Sequence, residues 1–313
     1  MAVQLTTAPL LEVEDLSVSF CMYDKKLAQS EVTVISNLSI TVRAGQILAI
    51  AGSSGSGKSL LAHAILGILP EHARVAGKMQ YCGQLLTPQL QQKLRGKELA
   101  LVPQSVAYLD PLMKVGKQVR GTGGKRLLPL QRALFRRYDL PQETETLYPF
   151  QLSGGMARRV LVSTAVIGDA SLIIADEPTP GMQVEQALEA LRHFRELADA
   201  GKGVVLITHD IDLAVQFADV VAVFYAGTTV ETAPAADFRA GVTALRHPYS
   251  KALWQALPQN GFVPIAGVQP YCKELPKGCL FAPRCPYQTA ECQEKLPPVT
   301  TVRNGTVRCI HAT

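Results

Sequence analysis

Gly52-Ser53-Ser54-Gly55-Ser56-Gly57-Lys58-Ser59 fits the pattern GxxxxGK[ST] and follows an apolar run, Ile47 to Ala51, with the character of a buried strand. Glycines at these spacings let several backbone N–H groups approach a polyphosphate closely and point inward at it. The helix-like stretch from Lys58 to Leu69 would add the positive end of its dipole. Lys58 is spaced to reach the terminal phosphates, the Ser59 hydroxyl to ligate Mg²⁺, and Leu60 to close the set. The chemistry these residues suit is the binding of a nucleoside triphosphate.

A second group could act on what the first one binds. Leu172-Ile173-Ile174-Ala175-Asp176-Glu177 is an apolar strand ending in two carboxylates, and consecutive strand residues point to opposite faces. Asp176 suits a magnesium shell, whereas Glu177 could polarise an attacking water. Upstream, Leu152-Ser153-Gly154-Gly155-Met156 opens a helical pattern with a serine N-cap and two glycines, a second anion-binding helix start in one chain. Gln104 follows Leu101-Val102-Pro103, and His209 follows the apolar run Val204 to Ile207. Taken singly, these are an ordinary loop glutamine and an ordinary strand-end histidine. Their order and spacing carry the inference.

With those residues in place, the chain resembles the ATP-binding subunit of an ABC transporter nearly end to end. The resemblance implies ATP and Mg²⁺ as ligands, with Gly52 to Leu60 on the phosphates and Ser59, Gln104 and Asp176 around the metal. It implies Glu177 as catalytic base, His209 as the switch histidine sensing the γ-phosphate, and Gln104 as the Q-loop facing the membrane partner. Ser153, Gly154, Gly155 and Met156 would contact the ATP held by an opposite subunit. Phe20 is the expected adenine-stacking aromatic, with Tyr23 the alternative. Two departures stand out. Gln183 occupies the place of the D-loop aspartate in Pro180-Gly181-Met182-Gln183, and Met156-Ala157-Arg158-Arg159 replaces the usual Met-Arg-Gln-Arg.

The elements that must position this chemistry follow from periodicity together with that resemblance. Leu11 to Phe20 and Val32 to Val42 have strand character, and Val115 to Tyr148 carries Arg and Leu at helical spacing. The alternation of strand (171–175), helix (184–198), strand (204–208) and helix (213–217) predicts a mostly parallel sheet. The expected fold class is α/β, a P-loop ATPase domain over residues 1–235 with an antiparallel β subdomain and a helical subdomain near 105–160. A small extension would occupy 236–313, Cys-rich from about 270.

Composition narrows the class further. The 313 residues are 47% hydrophobic, enough for a large core, yet no uninterrupted apolar run approaches the ~18 residues of a spanning helix. The N-terminal residues lack the pattern of a secretory signal. A net charge of +5 is spread along the chain apart from the clusters at 93–97 and 132–137, so a solvated surface accounts for it better than nucleic-acid binding.

Beyond about Glu231, His247-Pro248-Tyr249-Ser250-Lys251-Ala252-Leu253 and the later cysteines resemble the C-terminal region of oligopeptide, dipeptide and nickel importer ATPases. Cys279, Cys285, Cys292 and Cys309 follow C-x5-C-x6-C-x16-C, with too few apolar residues around them for an independent core. Such a segment calls for a staple. Disulfides do not suit a reducing cytosol, and close C-x2-C pairs typical of zinc are absent. A [4Fe–4S] cluster is the expected occupant, with zinc or unligated thiols as alternatives and Cys272 and His311 as spare ligands. Cys21 and Cys82 have the character of isolated buried small residues.

The resemblance implies a motor at the cytoplasmic face of the inner membrane. Its partners would be a homologous second cassette (a heterodimer), two permeases and an external substrate-binding protein, with no nucleic acid. Peptide is the first expectation for the cargo and nickel or a metal–metallophore complex the second. A soluble, non-transport ABC ATPase is the different-class alternative.

Overall fold

The computed structural model describes residues 8–23, 29–53 and 55–313. Two sheets organise them. Strands β1 (Leu11–Tyr23) and β2 (Gln29–Val42) pair antiparallel, with Phe20 opposite Val32. The larger sheet begins with β3 (Ile47–Gly52), which leads through the glycine-rich turn into helix α1 (Lys58–Leu66). Next, β4 (Ala73–Tyr81) and the two-residue β5 (Gln84–Leu85) return to the small sheet, whose order is β2-β1-β4-β5. Helix α2 (Pro88–Leu94) starts on a Thr87 N-cap and is followed by β6 (Leu99–Val102).

The helical subdomain interrupts the sheet here. Helices α3 (Val115–Arg120) and α4 (Leu128–Arg137) precede α5 (Gly154–Val166), which starts on Ser153. The expected helical stretch to Tyr148 is broken into short pieces because Gly121 and Gly124 take φ of 47° and 54°, which ends any α-helix. Arg137 forks across to Glu196 at 2.7 and 2.9 Å and to Glu189 at 2.8 Å, tying α4 to the helix that follows the carboxylate strand.

The remaining order is β7 (Leu172–Asp176), α6 (Val184–Asp199), β8 (Gly203–Ile207), α7 (Ile211–Phe217), β9 (Val220–Tyr225) and β10 (Thr228–Pro234). Helices α8 (Ala235–Ala240), α9 (Pro248–Gln255) and α10 (Ala290–Glu294) then precede the hairpin β11 (Thr300–Val302) and β12 (Gly305–Val307). The large sheet runs β11-β12-β10-β9-β3-β8-β7-β6, parallel from β9 to β6 and antiparallel beyond β9. Every residue of β3, β7 and β8 is buried, as expected for parallel strands covered on both faces.

The C-terminal extension does not stand alone, which changes the expectation that it needs a staple. Its β12 pairs with β10, placing Glu231 opposite Val307, and Phe281, Leu280, Tyr249 and Trp254 sink into the main core. Fully buried Arg246 donates to Glu231 at 3.3 Å and to Asp237 at 2.7 Å. The cassette itself supplies the apolar surface that the extension lacks.

Next to that ion pair, Nδ1 of fully buried His247 accepts the Tyr249 N–H at 2.9 Å and caps α9. Burial pushes the His247 pKa down to about 3, and the nearby positive charge of Lys251 acts in the same direction. The unfolded chain binds that proton near the ordinary histidine value, so the unfolded state holds more protons as pH falls below about 6.5. Stability therefore declines with falling pH in that window, by up to about 1.4 kcal/mol per unit from this group. His247→Asn keeps a capping acceptor and removes the titration. Urea midpoints between pH 6.5 and 5 are expected to fall less steeply in this variant; an unaltered slope would exclude His247 as the source.

Candidate functional site

Three loops meet where parallel strands β3, β8 and β7 end at their C-terminal edge, the usual place for a ligand in an open α/β sheet. Backbone bonds lock them together: the Glu177 N–H donates to Ile207 O at 2.9 Å and the Thr208 N–H to Ile50 O at 3.1 Å. The phosphate-type loop is stiffened by Gly57, which N-caps α1 at φ 91°, and a Cβ there would lie 2.9 Å from Ile35. Lys58 Nζ donates to Gly52 O at 2.8 Å and Ser53 O at 3.0 Å. Burial lowers the Lys58 pKa, while Glu177 and Asp176 act the other way.

A cavity of ≈ 260 Å³ opens at this point. Gly55, Gly57, Lys58, Ser59 and Leu60 wall one side, Gln104 and Glu177 the other, and Val34 contributes from β2. Ser56 is fully buried behind the loop, its hydroxyl without a partner among the described residues. Ser54 and the side chain of Tyr23 lie outside the described residues.

The two carboxylates at the end of β7 occupy different environments. Asp176 is 2% exposed; burial raises its pKa, opposed by a hydrogen bond from Ser59. Its Oδ1 has no partner among the described residues. A buried, unpaired carboxylate oxygen beside a serine hydroxyl at the cavity wall fits a hard, oxygen-seeking cation such as Mg²⁺. Glu177 faces the cavity with a left-handed φ of 48°, an unusual backbone state for a non-glycine residue and one that clusters at functional sites. His209 Nδ1 lies 2.7 Å from Glu177 Oε2.

Not every expected residue reaches this cavity. Phe20 packs half-buried against the core beneath the small sheet, its ring 5.7 Å from that of His72, and does not line the cavity wall. The signature residues also stand away from the cavity. Ser153 Oγ accepts the Met156 N–H at 3.2 Å as N-cap of α5, and Ser153 and Gly154 are exposed. A Cβ on Gly155 would come within 3.0 Å of Gly181 O, so the signature abuts the segment holding Gln183. Gln183 sits at the N-cap of α6 without a side-chain capping bond.

Sequence reasoning assigns Arg158 no role, although its neighbourhood departs from the usual pattern. Its Nη1 donates to Pro103 O at 3.0 Å and also to Gln104 O, tying the signature helix to the Q-loop within one chain. Burial lowers its pKa against the pull of Glu177 and Asp176. Gln269 is also missing from the sequence-based set, since nothing local indicates that it meets Ser53.

In the extension, the Cys279 N–H donates to Cys292 O at 2.7 Å, an approach that only glycine at 278 permits because a Cβ there would lie 2.2 Å from the same oxygen. Cys279, Cys285 and Cys309 have pKa values raised mainly by burial, with electrostatic contributions linking them to one another and to Cys292. Even so, among the described residues no three His, Cys, Asp or Glu side chains form a group able to hold a metal ion. The iron–sulfur expectation thus finds neighbouring thiols but no preformed metal group. Cys82 is exposed in a turn and Cys21 only half-buried in β1, so neither is the buried small residue expected.

Comparison with known proteins agrees with this geometry. Residues 35–180 match the family described as ABC transporter, and residues 230–292 the oligopeptide/dipeptide transporter C-terminal region. The dipeptide transport ATP-binding protein DppD of Escherichia coli is 35% identical over 316 residues, covering 95% of this chain and 94% of that protein. The oligopeptide transport ATP-binding protein OppD of Haemophilus influenzae is 33% identical, covering 96% of each. Among solved structures, a dimeric bacterial ABC transporter cassette superimposes with a TM-score of 0.64 at 21% identity, over 72% of this chain and 98% of that one. Among the described residues no helix is long and apolar enough to cross a membrane. The chain belongs to the ATP-binding subunits of ABC transporters, in their oligopeptide/dipeptide branch, and is an ATPase.

Proposed function

We propose that this chain is the motor subunit of a peptide importer, hydrolysing ATP in the cavity between the P-loop and Glu177. The observation that carries the reading is the Glu177–His209 contact of 2.7 Å, whose carboxylate lines the same cavity as Lys58 and Ser59. Glu177 takes a proton from the attacking water while His209, seated against its carboxylate, fixes the γ-phosphate. The γ-phosphate leaves as phosphate and ADP remains. On ATP binding, Lys58 exchanges the Gly52 and Ser53 carbonyls for phosphate oxygens. Ser59 and Asp176, with Gln104 nearby, would hold Mg²⁺, which supplies neutralisation of phosphate charge.

Ser153, Gly154, Gly155 and Met156 are assigned to the ATP of a homologous partner cassette, which agrees with the exposure of Ser153 and Gly154 and with the absence of all four from their own cavity wall. Phe20 keeps the adenine assignment on its position in the small sheet alone. The division at residue 235 is supported by the family match beginning at 230, although the two parts share a sheet. Two permeases and an external binding protein complete the proposed system at the cytoplasmic membrane face.

Peptide is favoured as cargo because the relatives compared above are named for dipeptide and oligopeptide transport. No observation favours nickel or a non-transport role. Uptake assays with the reconstituted transporter should give ATP-dependent accumulation of labelled oligopeptide and none of nickel; the reverse result would overturn the cargo assignment.

The finer expectation for the extension is a [4Fe–4S] cluster on Cys279, Cys285, Cys292 and Cys309. It is supported by the Cys279 N–H to Cys292 O contact of 2.7 Å, which brings two of the four cysteines together. A cluster is larger than a single ion and holds its thiolates further apart, so a tight preformed group is not required of it. About four irons and matching acid-labile sulfide per anaerobically purified chain would support the cluster; metal-free protein would leave buried thiols.

A further inference from the structure

Ser53, in the first turn of the P-loop, is held from outside by the extension. Its hydroxyl donates to Gln269 Oε1. Burial raises the pKa of nearby Tyr249, a rise that Ser53 opposes. Tyr249 is 2% exposed and wedged among aromatics: its ring centroid lies 4.5 Å from that of Tyr225 at the end of β9 and 5.3 Å from that of Phe281. Arg284 fixes the loop carrying Gln269 by donating to Ala266 O at 2.7 Å and Ile265 O at 3.2 Å. Ser53 also presents its carbonyl to Lys58 Nζ at 3.0 Å, so the same residue meets the extension on one side and the phosphate-binding lysine on the other.

We infer that Gln269 is a positioning residue for nucleotide binding, which holds the first turn of the P-loop in the shape that receives the phosphates. This rests on the P-loop being the ATP site. The Gln269 side chain does not line the cavity, so it acts through Ser53. A loop ordered in advance loses less freedom when ligand arrives, and removing one such hydrogen bond should weaken binding without altering the chemical step. The extension thereby has a task in the cassette that does not depend on what its cysteines hold.

The test uses the full-length chain, with a fluorescent ATP analogue plus Mg²⁺ as the binding probe and phosphate release from the assembled transporter as the rate. Gln269→Leu changes a partly exposed loop and does not disturb the core. It should raise Kd and KM for ATP roughly two- to tenfold, the worth of one hydrogen bond, with kcat within about twofold of wild type. Unchanged or tighter binding, with thermal melting intact, would overturn the inference, as would a fall in kcat at constant KM. Lys58→Ala separates this from the underlying reading: if it binds the probe as tightly as wild type does, the P-loop is not the nucleotide site.

Discussion

Glu177→Gln is expected to abolish turnover while leaving ATP binding intact. The substitution keeps the side-chain volume and an oxygen near His209 but removes the base, since an amide cannot accept the water proton. Nothing else around the phosphates changes, because Lys58, Ser59 and Asp176 are untouched. Phosphate release should fall by at least ~10²-fold, the usual worth of general-base catalysis. The Kd for the fluorescent analogue should stay within about twofold of wild type. With its exit by hydrolysis slowed, the ATP-bound state should accumulate, visible as a stable cassette pair on gel filtration in ATP. Wild-type turnover would remove Glu177 from the mechanism.

Asp176→Asn should separate stability from activity in the opposite sense. In the nucleotide-free protein Asp176 is a buried carboxylate with one oxygen unpartnered among the described residues, and burial raises its pKa against the help of Ser59. A group whose folded pKa lies above its unfolded value is destabilising above that unfolded value, and the penalty disappears as pH falls through the folded value and then the unfolded one. At neutral pH the neutral amide should therefore melt later, gaining about 1 kcal/mol. The same change removes the charge a divalent cation needs, so ATPase activity should drop by ~10²-fold or more. Differential scanning calorimetry at about pH 7.5 without nucleotide, paired with phosphate release, reads both. A lower melting temperature would show that Asp176 is compensated in the folded protein by contacts beyond Ser59, Lys58 and His63.

What can be read directly from the residues is whatever rests on local pattern. The apolar runs at 47–51, 172–175 and 204–207 form fully buried parallel strands because only such runs survive burial on both faces. The glycine-rich turn and the serine cap of α5 are legible for the same reason, since the backbone geometry dictates the residue type. What escapes is non-local. Arg158 meets the carbonyls of Pro103 and Gln104 only because α5 packs beside β6, and no spacing in the sequence marks that meeting. Gln269 and Ser53 are 216 residues apart along the chain. Considered alone, the extension lacks a core, because the surface that buries Phe281 and Tyr249 comes from the cassette. Residue type alone suggests a buried Cys82, yet its φ of 49° belongs to a surface turn.

The most direct measurement is phosphate release by the chain assembled with its partner cassette and permeases in lipid vesicles, with and without oligopeptide and its binding protein. ATP hydrolysis is predicted to rise when loaded binding protein is supplied and to vanish in Glu177→Gln. Hydrolysis that persists in Glu177→Gln, or that ignores peptide altogether, would contradict a peptide-coupled motor working through this site.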